Sequence, residues 1–162
     1  IDPPGADPGI AAEERGQGFA IANNLMEMAS IDTPILTIVI GEGASGGALG
    51  IGLCDKMLML QNTWFSVISP EGCASILWKD SSKAPEAAEA LKLTPKDLME
   101  HDICNMIIHE PVGGAHRHFD ETILIVKKAL IEEIDSFKKD ESISYLDSRV
   151  ARYDKLGSFR EF

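Results

Sequence analysis

The run from Pro34 to Ile40 (Pro-Ile-Leu-Thr-Ile-Val-Ile) is almost wholly apolar and rich in β-branched residues. It reads as a strand buried on both faces. It stops in five glycines within ten residues: Gly41, Gly43, Gly46, Gly47 and Gly50. Backbone there must adopt unusual dihedrals or come very close to another group. Ala48 to Leu53 then reads as the start of a close-packed helix. A strand, a glycine loop and a helix N-terminus together leave free N–H groups at a positive dipole end, which suits an anion or an oxyanion. The site is expected there.

The 162 residues suit one domain, and 44% hydrophobic residues is ordinary for a globular core. A net charge of -11 argues against nucleic acid or an anionic membrane as main partner, because phosphate binding needs a basic face. No apolar run is long enough to span a membrane, and no signal peptide is visible. The opening Ile1-Asp2-Pro3-Pro4, without an initiator Met, reads as a strand cut mid-course and suggests a piece of a longer chain. Cys54, Cys73 and Cys104 are widely spaced in apolar company, as expected of buried, reduced thiols.

In chain order, Asp7 and Pro8 are expected to open a helix running to about Ser30, with Ile21, Leu25 and Met28 as its apolar stripe. Lys56–Gln61 and Thr63–Ile68 read as strands, and Cys73–Lys79 as a short helix. Lys83-Ala84-Pro85 opens a helix through Leu91, and Thr94-Pro95 opens another to about Glu100. Ile103–Ile108 is the last strand. Asp120 is expected to cap a long helix to about Lys139, with Ile123, Val126, Leu130, Ile134 and Phe137 inward and Glu132, Glu133 and Lys138 in water. Leu146, Val150 and Tyr153 suggest an amphipathic tail helix that docks on something. This is an α/β order, and parallel strands with right-handed crossovers are expected.

The glycine loop admits three readings. Gly41-Glu42-Gly43-Ala44-Ser45-Gly46 matches the dinucleotide fingerprint, but the next strand ends Leu60-Gln61-Asn62, without the acid a ribose needs. Gly43-Ala44-Ser45-Gly46-Gly47 matches the G-x-S-x-G elbow of a serine hydrolase, with Asp55 or Asp102 and His109 or His116 in the right chain order. Against it, several residues separate Ile40 from Ser45, whereas an elbow serine sits at the strand end. The third reading uses backbone N–H groups of Gly46 and Gly47 as an oxyanion hole, where each donor is worth roughly 3–4 kcal/mol in a dry site. Close helix–strand packing is the plainer use of a glycine pair, but five glycines at one strand end favour a site.

Elsewhere, Glu71 in Ser69-Pro70-Glu71-Gly72 follows an apolar strand and fits either a pocket group or a solvated loop carboxylate. His116 and His118 crowd Arg117 after Gly113-Gly114, and an anion-binding or structural loop suits them better than a metal, since no carboxylate or Cys pattern joins them.

Several segments together resemble the α subunit of bacterial-type acetyl-CoA carboxylase carboxyltransferase: Ile1-Asp2-Pro3-Pro4-Gly5-Ala6, Glu13 to Gln17, Ile40 to Leu49, Val67 to Lys79 and Glu110 to Arg117. The run Ser69-Pro70-Glu71-Gly72-Cys73-Ala74-Ser75-Ile76-Leu77-Trp78-Lys79 is the most specific. The likeness covers essentially the whole chain and corresponds to the C-terminal half of that subunit. It implies an α/β, crotonase-like fold of repeated ββα units, with residues 1–140 in the carboxyltransferase domain and 141–162 as a C-terminal helical tail. It also implies transfer of a carboxyl group from carboxybiotin to acetyl-CoA, giving malonyl-CoA for fatty-acid biosynthesis.

Carried over residue by residue, Gly46 and Gly47 would stabilise negative charge on the biotin ureido oxygen as the carboxyl group leaves, while Gly43, Ala44, Ser45, Ser69, Glu71 and Gly72 would line the biotin pocket. Freed biotin would take the methyl proton of acetyl-CoA, so no side-chain base is required. The resemblance implies biotin on a biotin carboxyl carrier protein, a CoA thioester substrate, and no metal in this chain. The implied partner is a zinc-ribbon β subunit, as α2β2, in the bacterial cytoplasm or plastid stroma. Enoyl-CoA hydratases of the wider superfamily carry a glutamate where Leu49 stands, which disfavours hydration. The serine hydrolase, a propionyl-CoA carboxyltransferase and a fragment that only assembles or regulates stay open as alternatives. Gly47→Val is expected to abolish transfer and leave assembly intact.

Overall fold

The computed structural model describes residues 1–138 and 144–157. Its central part repeats one unit. Strand β1 (Leu36–Val39), strand β2 (Glu42–Ala44) and helix α3 (Ser45–Gly52) are followed by β3 (Lys56–Leu60), β4 (Trp64–Ser66) and α4 (Pro70–Trp78). Successive ββα units send their first strands to one sheet and their second strands to another. The first sheet has order β1-β3-β5, where β5 is Met106–Ile108, and the second pairs β2 with β4. All pairings are parallel, with Val39 opposite Met59, Met59 opposite Ile107, and Ala44 opposite Ser66. The α/β, crotonase-like arrangement of ββα units is therefore present.

The larger sheet divides the core in two, because alternate side chains of a strand point to opposite faces. Val39, Met57 and Met59 pack with Cys54, Leu98 and Cys104 on one face. Leu58, Leu60 and Ile108 pack on the other against Ala129 of α7 (Phe119–Lys138). Leu58 and Met59 are wholly buried, each contributing about 2 kcal/mol on area grounds. All three cysteines are free and buried, and burial pushes the Cys54 thiol up from its ordinary range. Buried, reduced thiols are what their apolar company predicts.

Several helices differ from the sequence reading. The first is two: α1 (Ile10–Glu14) and α2 (Gln17–Ser30). Gly16, at φ 80, takes the left-handed conformation that ends one and starts the next. Asp7 does not cap α1; its Oδ1 accepts from Gly9 N at 2.8 Å, and Gly9 is the N-cap. In α7 the inward face carries Thr122, Val126 and Ala129, while Ile123 and Ile134 are each almost half exposed. Glu133, expected in water, instead pairs with Lys56 at 2.5 Å. The expected terminus Lys139 lies outside the described residues. Helices α5 (Ala84–Leu91) and α6 (Pro95–Glu100) match expectation, and α6 is closed by a capping box in which Thr94 and Asp97 bond reciprocally.

The tail helix α8 (Tyr145–Asp154) docks, but not by the stripe expected. Val150 is 61% exposed, and Arg149 is the buried residue at 3%. Its guanidinium grips Asp55 with two parallel bonds, Nε to Oδ1 at 3.0 Å and Nη2 to Oδ2 at 2.9 Å. It also donates to the carbonyls of Met28, Ile31 and Thr33 at the end of α2. A cation there satisfies orphan carbonyls and sits at the negative end of the helix dipole.

Candidate active site

Every element of the site follows from how the chain leaves the smaller sheet. After β1 the backbone turns at Ile40-Gly41, and Asp2 Oδ1 accepts from Glu42 N at 2.7 Å. Ile40 N donates to Ile1 O and Ala44 N donates to Pro3 O, so the opening residues run alongside β1 and β2. Gly43 and Ala44 are buried in β2; a Cβ on Gly43 would sit 2.5 Å from the Phe65 ring. These two residues are explained by packing between the paired strands.

Ser45 follows at φ 50, left-handed for a residue with a side chain, and it is exposed. The sequence reading held that several residues separate the strand from Ser45. The structure corrects this, because β2 ends at Ala44 and Ser45 stands directly on the strand end. The other parts of a hydrolase triad are dispersed. Asp55 is held by Arg149, His109 Nδ1 lies 3.2 Å from Gln61, and His116 lines a cavity beneath α7. None of these side chains hydrogen-bonds Ser45 among the described residues.

Helix α3 opens without a side-chain cap, since its N-cap residue is Ala44. Among the described residues the N–H groups of Gly46 and Gly47 donate to no backbone acceptor, as expected of an uncapped first turn. Both glycines are half-buried. They differ in their surroundings. A Cβ on Gly47 would meet Gly5 C and O at 2.6 Å and Ala6 N at 3.0 Å, all backbone atoms. A Cβ on Gly46 would meet nothing nearer than Ala6 Cβ at 3.7 Å. Gly47 is thus needed for the Gly5–Ala6 segment to lie on α3, whereas a side chain at Gly46 would make only ordinary contacts with Ala6 and Ile21. That contact between the first residues and α3 is a part of the site that composition and motif spacing could not reveal.

Across the sheet, β4 ends at Ser66 opposite Ala44, so the turn Val67–Ser69 lies beside Ser45 at the neighbouring strand end. In open α/β sheets, the carboxyl ends of strands are where ligands bind. Ser69 caps α4, its Oγ accepting from Gly72 N at 3.1 Å, with Pro70 in the first turn. Glu71 is exposed, and a Cβ on Gly72 would press on Ile68. Val67 in this turn, Leu49 in α3, and Ile76 and Leu77 in α4 are each more than half exposed.

An uncapped helix behind a strand end, in parallel sheets of ββα units, presents backbone N–H groups to which a carbonyl oxygen or anion can bond. Comparison with known proteins gives that class a family. The family described as "Acetyl co-enzyme A carboxylase carboxyltransferase-like" matches residues 1–157, and the chain belongs to it. It is 49% identical over 161 residues to the acetyl-coenzyme A carboxylase carboxyl transferase subunit alpha of Chlorobaculum parvum, covering 99% of this chain and 48% of that one. The subunits of the same name from Protochlamydia amoebophila and Thermus thermophilus are 52% and 46% identical, over 99% of this chain and 51% and 52% of theirs. The chain thus spans about half the length of these relatives.

Among solved structures, a Pseudomonas malonate decarboxylase hetero-tetramer in complex with malonate superposes with a TM-score of 0.70 at 15% identity, over 96% of this chain and 60% of that chain. The transcarboxylase 12S core gives 0.61 at 17% identity, over 100% of this chain and 28% of the other. These likenesses establish the fold. No helix among the described residues is long and apolar enough to cross a membrane.

Proposed function

We propose that this chain forms the biotin-facing half of an acetyl-CoA carboxylase carboxyltransferase, with the first turn of α3 as its oxyanion hole. The observation that carries this reading is the uncapped pair of N–H groups at Gly46 and Gly47 in the first turn of α3. Carboxybiotin, borne on a carrier protein, supplies the carboxyl group that acetyl-CoA accepts. The residues present fit its neutral ureido carbonyl: the donors are backbone amides, and among the described residues no buried charged side chain competes at that turn. Gly46 N–H and Gly47 N–H hold an oxygen whose negative charge grows as the carboxyl group leaves, and the dipole of α3 adds to them. Ala6, whose backbone N lies against Gly47, brings a third amide to the same edge. Ser45 sets the direction of the turn and contributes a hydroxyl at the rim. Ser69, Glu71 and Gly72 flank the pocket from the neighbouring strand end.

The exposed apolar side chains of Val67, Leu49, Ile76 and Leu77, on α3, α4 and the turn before α4, fit a surface covered by another subunit. The family's α-subunit name agrees with a β subunit that completes the acyl-CoA site, with acetyl-CoA rather than propionyl-CoA as the acceptor.

The test is malonyl-CoA-dependent carboxylation of biocytin by the whole subunit, with and without a β subunit of the family. Turnover only with the partner is expected. Turnover by the α subunit alone, or none with the partner, would refute the assignment. The strand-end position of Ser45 keeps a hydrolase reading testable in parallel, since a serine nucleophile would be labelled by a fluorophosphonate without any partner. No labelling is expected, as no base among the described residues hydrogen-bonds Ser45.

A further inference from the structure

Beneath α8 lies a cavity of about 250 Å3 that the proposed reaction does not use. Leu25, Leu49, Leu53, Met57, Phe65 and Leu156 give it apolar walls. It adjoins a second cavity of about 400 Å3, bounded by Asp102, Asn105 and Lys155. Arg152 and Leu156 line both, so Arg152 stands at the junction of an apolar chamber and a polar one.

The state of Arg152 is unusual. Its Nη2 donates to Ile103 O at 2.8 Å, but its Nε is buried and has no hydrogen-bond acceptor among the described residues. No carboxylate among the described residues forms an ion pair with it; the nearby buried carboxylate, Asp55, is taken by Arg149. A partly buried guanidinium without a paired carboxylate favours an anion beside it. Lys155 adds a second cation to the polar chamber and Asp102 one opposing charge, so the balance there favours a single negative head group.

We propose that the paired cavities bind an amphipathic monocarboxylate, with its carboxylate on Arg152 and its alkyl chain among Leu25, Leu53 and Phe65. The apolar chamber has room for roughly eight groups the size of a water or a methylene. Guanidinium and carboxylate match as a charge-assisted pair. The chain end would rest on Leu49 and Gly52 of α3, the helix whose first turn carries Gly46 and Gly47, so an occupied cavity braces α3 against α8.

Isothermal titration of the protein with sodium octanoate tests this. One saturable site per chain is expected, with acetate (head without tail) and octan-1-ol (tail without charge) each at least tenfold weaker. Arg152→Gln should weaken octanoate by about tenfold or more, the scale of one hydrogen bond to a charged group, while Arg152→Lys keeps part of the binding. Leu156→Trp, which fills the shared wall and leaves the cation in place, should abolish it. Octan-1-ol binding as tightly as octanoate, or octanoate binding unchanged in folded Arg152→Gln or Leu156→Trp, would overturn the proposal. The contrast between octanoate and octan-1-ol decides the matter in the unaltered protein even if a variant fails to fold.

Discussion

Helices α3 and α4 start at neighbouring ends of two paired parallel strands, yet their first turns are built in opposite ways. At α4 the chain supplies its own closure: Ser69 caps Gly72 N, Pro70 removes one donor that would need a partner, and Glu71 sits favourably at the dipole. At α3 the cap position is Ala44, the next residue is a serine at φ 50, and two glycines follow with unclaimed N–H groups. A fold that can cap one helix so thoroughly leaves the adjacent one open where an outside oxygen could fill it. The difference separates a turn whose needs are met internally from one whose partner comes with the substrate.

The sharpest way to break this contrast is to add one methyl group on each side. Gly47→Ala would drive Cβ to 2.6 Å from the Gly5 backbone, which cannot move without lifting the opening segment off α3. A stability loss of about 3 kcal/mol in urea unfolding is expected. This revises the expectation that Gly47→Val spares assembly, since either variant disturbs the fold as well as the site. Gly72→Ala meets Ile68 Cγ1 at 2.9 Å and Ser69 Oγ at 3.1 Å, side-chain atoms that can shift. Its cost should stay near 1 kcal/mol, and equal losses for the two variants would contradict the packing described.

Next in size is Ser69→Ala, which removes the only side-chain cap at either turn and should cost about 1 kcal/mol. Thermal unfolding would register it as a lower Tm, whereas an unchanged Tm would mean that α4 is not held by its cap. The smallest effect is expected for Ser45→Gly. Relief of the left-handed strain and the greater freedom of glycine in the unfolded chain nearly cancel, leaving stability within about 0.5 kcal/mol of the parent. A loss of more than about 1 kcal/mol would show that the serine side chain itself holds the turn.

The same contrast explains what could be read in the amino-acid order. The elements with local signatures are where they were expected: β1 and β3 from their apolar runs, and α6 from Thr94-Pro95, whose cap and first-turn proline act within four residues. Strand β2 escaped, because Glu42-Gly43-Ala44 has no strand propensity and is extended only through its pairing with Trp64-Phe65-Ser66. Missing that strand led to the wrong inference about the spacing before Ser45. The docking of α8 escaped for a related reason. An apolar stripe pointed to Val150, but the energy lies in a buried Arg149 whose partners are up to 121 residues away in the chain. The glycine pair itself was legible, though the different roles of Gly46 and Gly47 depend on where Gly5 and Ala6 lie.

That last distinction supplies the most direct test of the central claim, that the open turn of α3 is the oxyanion hole. In Gly46→Ala the new Cβ meets only Ala6 and Ile21 at 3.7 and 3.8 Å, ordinary contact distances, so the fold has room for it. The methyl group would then stand beside Ala6, at the turn where the oxygen is proposed to bind. Measured as malonyl-CoA-dependent biocytin carboxylation by the whole α subunit with its β partner, kcat/KM should fall by about 100-fold, the scale of losing one oxyanion donor, while the unfolding midpoint is unchanged. Full activity in a folded Gly46→Ala protein would contradict the account.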